Sequence, residues 1–110
     1  SSGAARQPYP GWSAYCAAKA ALDHHARAVA QDALPKLRIA SVAPGVVDTG
    51  MQAEIRACSS TQFPLRDRFV AMQDAGQLSA PEAAAGQLVD YLLGDAFGAE
   101  PVTDIRNLPA

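Results

Sequence analysis

From Ser13 to Leu34 the chain runs without a Gly or a Pro and is rich in alanine. Such a run is confined to a helix, and Pro35 ends it because the residue before a proline is pushed out of the helical region. Ser13 is placed to cap the helix. Ala18, Leu22, Ala26, Val29 and Ala33 fall on one stripe and Lys19, Asp23 and Arg27 on another, so the first is expected to face inward. Leu37 to Val42 is a short, mostly apolar run stopped by Ala43-Pro44-Gly45, which reads as a strand.

The rest of the chain fits around that helix–strand unit. Residues 1–12 read as a loop entered from a strand stub at Ser1-Ser2, with Pro8, Pro10 and Gly11 as breakers and Tyr9 and Trp12 as aromatic contacts. A short helix is expected at 51–57 and another at 63–75, the latter with Leu65, Phe69 and Met72 at helical spacing. Ser79-Ala80-Pro81-Glu82 reads as a capping box that opens a helix over 80–93, with Ala85, Leu88, Val89 and Leu92 inward. Pro101 to Ile105 gives a last strand. Strands alternating with helices imply a parallel sheet with right-handed crossovers. The predicted class is α/β: a single domain over 1–110, half of a doubly wound parallel sheet with three strands and flanking helices, carrying an insertion at 51–78.

Composition narrows the function. A net charge of −2 gives no electrostatic footprint for nucleic acid or an anionic membrane. The two cysteines, Cys16 and Cys58, form neither a metal-ligand spacing nor a disulfide framework, which suits a reducing, cytoplasmic setting. His24 and His25 are adjacent on the helix, point about 100° apart and cannot chelate together, so no metal is expected. Arg66-Asp67-Arg68 reads as a solvated charged face. The chemistry centres on Tyr15 and Lys19. Four residues apart on a helix, they stand one above the other, and a neighbouring cation favours a phenolate. The same spacing also suits a core tyrosine with a snorkelling lysine paired to Asp23.

Ser2 lies thirteen residues before Tyr15, Lys19 follows Tyr15 by four, and Pro44-Gly45 closes the next strand with Thr49 four residues beyond. Taken together, this series resembles the short-chain dehydrogenase/reductase family. Gly11-Trp12, Tyr15-Cys16, Lys19-Ala20-Ala21, Ala43-Pro44-Gly45, Asp48-Thr49 and Met51-Gln52 are similar to the family's sepiapterin-reductase and bacterial carbonyl-reductase branch. The resemblance implies the C-terminal, catalytic half of a Rossmann-like domain that transfers hydride between NADP(H), in preference to NAD(H), and a ketone or alcohol. In that scheme Tyr15 is the general acid or base, Lys19 supports it and holds the nicotinamide ribose, and Ser2 orients the substrate carbonyl. Pro44, Gly45 and Val47 pass along the nicotinamide, with the Val47 amide and carbonyl on its carboxamide, while Thr49 and Met51 contact the cofactor further on. Gly3 and Gly45 line the substrate pocket, and Asp104 is a possible substrate contact or a turn residue. The insertion at 51–78, with Phe63, Leu65, Phe69 and Met72, lies over the substrate or packs as core. A homodimer or homotetramer through the helices 13–34 and 80–93 is implied, with Leu22, Ala26 and Val29 near the contact.

One departure stands against the family pattern. No G-x-G-x-x-G can be built from glycines 3, 11, 45, 50, 76, 86, 94 and 98, so the N-terminal cofactor-binding half is expected to be missing from this chain. The alternative is a catalytically silent remnant that serves as a binding or oligomerisation module.

Overall fold

A computed structural model describes residues 1–108. After a 3-10 turn at Gly3–Ala5, the chain forms α1 (Ser13–Gln31), β1 (Ser41–Ala43), α2 (Gly50–Ala57), α3 (Arg66–Asp74), α4 (Pro81–Leu93) and β2 (Val102–Asp104). A second 3-10 turn follows at Ile105–Asn107. β1 and β2 pair in parallel, Ser41 with Val102, Val42 with Thr103 and Ala43 with Asp104. The architecture is therefore a partial α/β Rossmann-type unit, as the alternation of elements predicts.

Among the described residues there are two strands and not three. Ser2 is extended, and the Ser1 nitrogen donates to the Val42 carbonyl at 2.7 Å, on β1. The chain then leaves at once into the 3-10 turn, so the expected first strand is reduced to this single contact. β1 is also shorter than the apolar run. Upstream of it, Arg38 donates to the Gly94 carbonyl at 3.3 Å and lies over the Phe97 ring, so that stretch is held by a side chain and not by a ladder.

Four expectations about helix ends change. α1 stops at Gln31, three residues early, because the approach to Pro35 turns through Ala33, whose φ is +50°. Trp12 and not Ser13 stands at its N-cap, fixed by stacking on Phe63 at 4.6 Å. The capping box does not form, since Ala80 is the cap residue. The Ser79 amide donates to the Val46 carbonyl and its carbonyl accepts from Asp48, both at 2.9 Å, which draws Ser79 into a parallel bridge with Val47. The helix expected at 63–75 starts at Arg66, leaving Phe63 in the preceding turn.

The inward faces change as well. On α1 it is Tyr15, Lys19, Asp23 and Ala26 that turn towards the interior, with Asp23 only 2% exposed, while Leu22 is half exposed. The carboxyl of Asp23 accepts a hydrogen bond from Ser41 Oγ at 2.7 Å, which gives the buried group a partner and fixes the helix face against the sheet. Asp23 therefore pairs with the sheet and not with Lys19. On α4 the buried residues are Ala84 and Tyr91, with Leu88 partly covered, whereas Val89 and Leu92 are half exposed. Tyr91 packs on Phe97, an aromatic contact that turns the helix by one position from the expected face.

The aromatic core lies in the segment between the sheet strands. Ile55 of α2, Phe63 and Phe69 of α3 are buried together, with Tyr9, Trp12, Val46 and Met72 against them. Leu65, also expected on this side, packs at its edge. Arg66 is not simply a solvated charge: its Nε donates to the Arg56 carbonyl at 3.0 Å and its Nη1 meets Asp67 at 3.1 Å, tying α3 to the end of α2.

Candidate active site

The C-terminal end of β1, the first turn of α1 and the start of the chain converge on a cleft of about 780 Å³. Every site residue expected from the sequence borders it except Lys19. The α1 helix presents Tyr15 from its first turn, and the ring meets Trp12 edge-on at 4.9 Å. Lys19, one turn on, stands outside the cleft with its Nζ 5.5 Å from the centre of the Tyr15 ring. Among the described residues the Tyr15 hydroxyl has no hydrogen-bond partner, so it is available to a ligand.

Ser2 is held by its own local structure. Its Oγ accepts from the Ala4 amide at 3.2 Å and so caps the 3-10 turn. A hydroxyl used as an acceptor in this way keeps its proton to donate. Gly3 follows, and a Cβ there would come 3.1 Å from the Tyr9 hydroxyl.

The opposite wall is the loop after β1. Gly45 has φ +78°, a region that side chains rarely adopt, and a Cβ would meet Arg106 Cδ at 3.3 Å. Both the turn and the close approach therefore require glycine here. Two residues on, the bridge to Ser79 uses the Val46 carbonyl and the Asp48 amide. In a parallel pairing of this kind the N–H and C=O of Val47 itself point to the other side, away from Ser79, and Val47 borders the cleft. One backbone donor and one acceptor are thus presented side by side. Thr49 stands at the N-cap of α2, and Met51 in its first turn is exposed.

Asp104 ends β2 and is only 4% exposed. Its carboxylate accepts from Arg106 Nε at 2.9 Å, from Arg106 Nη2 at 2.6 Å and from the Arg106 amide at 2.9 Å, capping the second 3-10 turn. The Arg106 guanidinium holds the carboxyl below the usual carboxylate range, against an opposing effect of burial. A depressed folded-state pKa means that the stabilisation is fully present above the unfolded value of about 3.9 and is lost as pH falls through the folded value. We expect the melting-temperature gap between the wild type and Asp104→Asn to be constant near neutrality and to close below about pH 4. A gap that persists unchanged into acid would show that the pair contributes by packing alone.

Arg106 was not legible as a site residue. Its signal is the Asp-x-Arg spacing after the last strand, which acquires meaning only once Asp104 is seen to be buried. His24 and His25 are both exposed on α1. Among the described residues no cluster of His, Cys, Asp and Glu is arranged to hold a metal ion, and no helix is long and apolar enough to cross a membrane. The Cys16 sulfur accepts from the Tyr9 amide at 3.3 Å, and Cys16 is partly exposed.

Comparison with known proteins gives the family of the chain. A family profile described as short chain dehydrogenase matches residues 1–59. A benzil reductase of Bacillus cereus, forming (S)-benzoin, is 41% identical over 100 residues, covering 88% of this chain and 40% of that protein. Sepiapterin reductase of Rattus norvegicus is 38% identical over 104 residues, covering 94% of this chain and 39% of that protein. The crystal structure of the KRED1-Pglu enzyme superposes with a TM-score of 0.79 at 37% identity, covering 91% of this chain and 43% of that one. The chain thus spans about 40% of the length of the curated relatives it matches. It belongs to the short chain dehydrogenase family and is similar to part of the benzil and sepiapterin reductases.

Proposed function

We propose that this chain is the catalytic half of an NADP(H)-dependent carbonyl reductase whose dinucleotide-binding half lies outside it. The observation that carries this reading is the convergence on one cleft of an unpartnered Tyr15 hydroxyl and a Ser2 hydroxyl fixed with its proton free. Lys19 stands behind the phenol. It is the residue that would support Tyr15 and hold the nicotinamide ribose.

The nicotinamide, when bound, supplies or accepts the hydride. The residues that would hold it are those of the loop after β1. The donor–acceptor pair of Val47 complements a primary carboxamide, and Gly45 supplies the positive-φ turn that carries this loop along the cleft. Thr49 and Met51 are the candidates for the adjoining part of the cofactor. Within this frame Ser2 donates to the substrate carbonyl and steadies the charge that develops on its oxygen. Tyr15 passes its proton to that oxygen as the carbon is reduced, and takes it back in the reverse direction. Phe69, Met72 and Trp12 give the cleft an apolar wall suited to an aromatic ketone. On this reading the segment 51–78 both builds the aromatic core and covers the substrate side.

Self-assembly into a dimer or tetramer belongs to the same proposal. Leu22 on α1 and Val89, Leu92 and Leu93 on α4 are exposed, Leu93 by 78%, which favours burial against a second copy. A reducing, cytoplasmic setting suits the free Cys16 and Cys58.

The test is oxidation of NADPH, followed by its absorbance, by the full-length protein that carries this chain, with an aromatic 1,2-diketone as acceptor. Saturable turnover, faster with NADPH than with NADH, is expected. The 110-residue chain by itself is expected to show no saturable NADPH binding. Absence of turnover with every aryl ketone tried on the full-length protein would overturn the reading.

A further inference from the structure

The chain carries a net charge of −2, yet the charged side chains that border the cleft are Arg6, Arg68, Arg106 and Asp104. The one carboxylate among them is not available to a ligand. Both oxygens of Asp104 are engaged by Arg106, and the residue is almost fully buried. Arg6 adds its own field at Asp104. What the cleft offers at this end is therefore the guanidinium. Nε and Nη2 of Arg106 are fixed on Asp104, which locks the plane of the group, while Nη1 has no partner among the described residues. The side chain is 61% exposed and passes directly over Gly45, on the border of the cleft that Tyr15 also lines.

We propose that Arg106 recognises a second acceptor oxygen on the substrate, a carbonyl or a carboxylate close to the carbonyl being reduced. The proposal rests on the carbonyl-reductase reading and names its substrate class. A guanidinium held rigidly by a buried carboxylate loses little freedom when it donates again, and it offers donors only, so it selects against a substrate that presents an N–H donor or a cation here. Arg6 and Arg68 reinforce the same sign. Arg106 is a specificity residue: it binds a part of the substrate that does not react.

The test compares kcat/KM of the full-length protein for 1-phenyl-1,2-propanedione, phenylglyoxylate and acetophenone, which differ in the second oxygen. In the double variant Asp104→Asn/Arg106→Gln, which leaves no buried charge unpaired, the preference for the better two-oxygen substrate over acetophenone should fall at least tenfold. Arg106→Lys, measured alongside, keeps Asp104 neutralised but loses the planar fork, and should lower the same preference severalfold. A preference for phenylglyoxylate identifies a carboxylate as the occupant, and a preference for the dione identifies a carbonyl. Equal losses on all three compounds, or a preference unchanged in both variants, would overturn the proposal. Calorimetric titration of the same compounds keeps the two readings apart. Without turnover the carbonyl-reductase reading fails, but two-oxygen binding weakened at least tenfold in the double variant still supports Arg106, and binding weakened equally for acetophenone sinks it.

Discussion

Replacing Tyr15 by Phe is expected to lower kcat of the full-length protein by about 10²–10⁴-fold, the usual contribution of a positioned general acid. The substitution is unusually clean in this structure. The Tyr15 hydroxyl has no hydrogen-bond partner among the described residues, so its removal leaves no buried group unsatisfied. The ring contacts with Trp12 at 4.9 Å and with Lys19 are retained by phenylalanine. Melting temperature and NADPH affinity should therefore stay close to wild type while turnover collapses. Near-normal turnover by Tyr15→Phe would remove Tyr15 from the mechanism, and with it the reading of the cleft as an active site.

The second large effect is on stability. Phe63 is 1% exposed, stacks on Trp12 at 4.6 Å and on Phe69 at 5.7 Å, and lies at the centre of the core it forms with Ile55 and Phe69. Phe63→Ala removes a buried ring and leaves a cavity between two helices, at a cost of about 3–5 kcal/mol. Denaturant unfolding monitored by circular dichroism measures this. A loss below about 1 kcal/mol would mean that the segment 51–78 collapses freely around the gap. Because Trp12 also lines the cleft and leans on Tyr15, the variant should lose activity beyond what its folded fraction accounts for.

The helix and strand order and the family were legible in the sequence because they rest on local signals: an alanine run, a Pro-Gly stop and fixed residue spacings. What was not legible depends on partners distant in the chain. The stripe Ala18, Leu22, Ala26, Val29 looked like the inner face of α1 by composition, but of these only Ala26 is buried, and the face that turns inward also carries Tyr15, Lys19 and Asp23. A helix that bears chemistry hides some of its polar residues, and only Ser41, eighteen positions away, explains why Asp23 can be buried. Ser79 has the right spacing to cap α4, yet its backbone is taken by Val46 and Asp48. Asp104 was read as a substrate contact or a turn residue. The structure shows the turn, and shows that Arg106 engages both carboxylate oxygens.

The hydrogen bond between Asp23 and Ser41 also acts as a fulcrum. It fastens α1 to the sheet at a point about 12 Å along the helix axis from Tyr15, eight residues at 1.5 Å each. Over that arm, a helix tilt of about 5° would carry the phenol about 1 Å sideways, a displacement that can cost two orders of magnitude in rate. On the proposed reading, the angle of α1 at this pivot sets the aim of Tyr15 together with the contacts that Trp12 makes at the start of the helix.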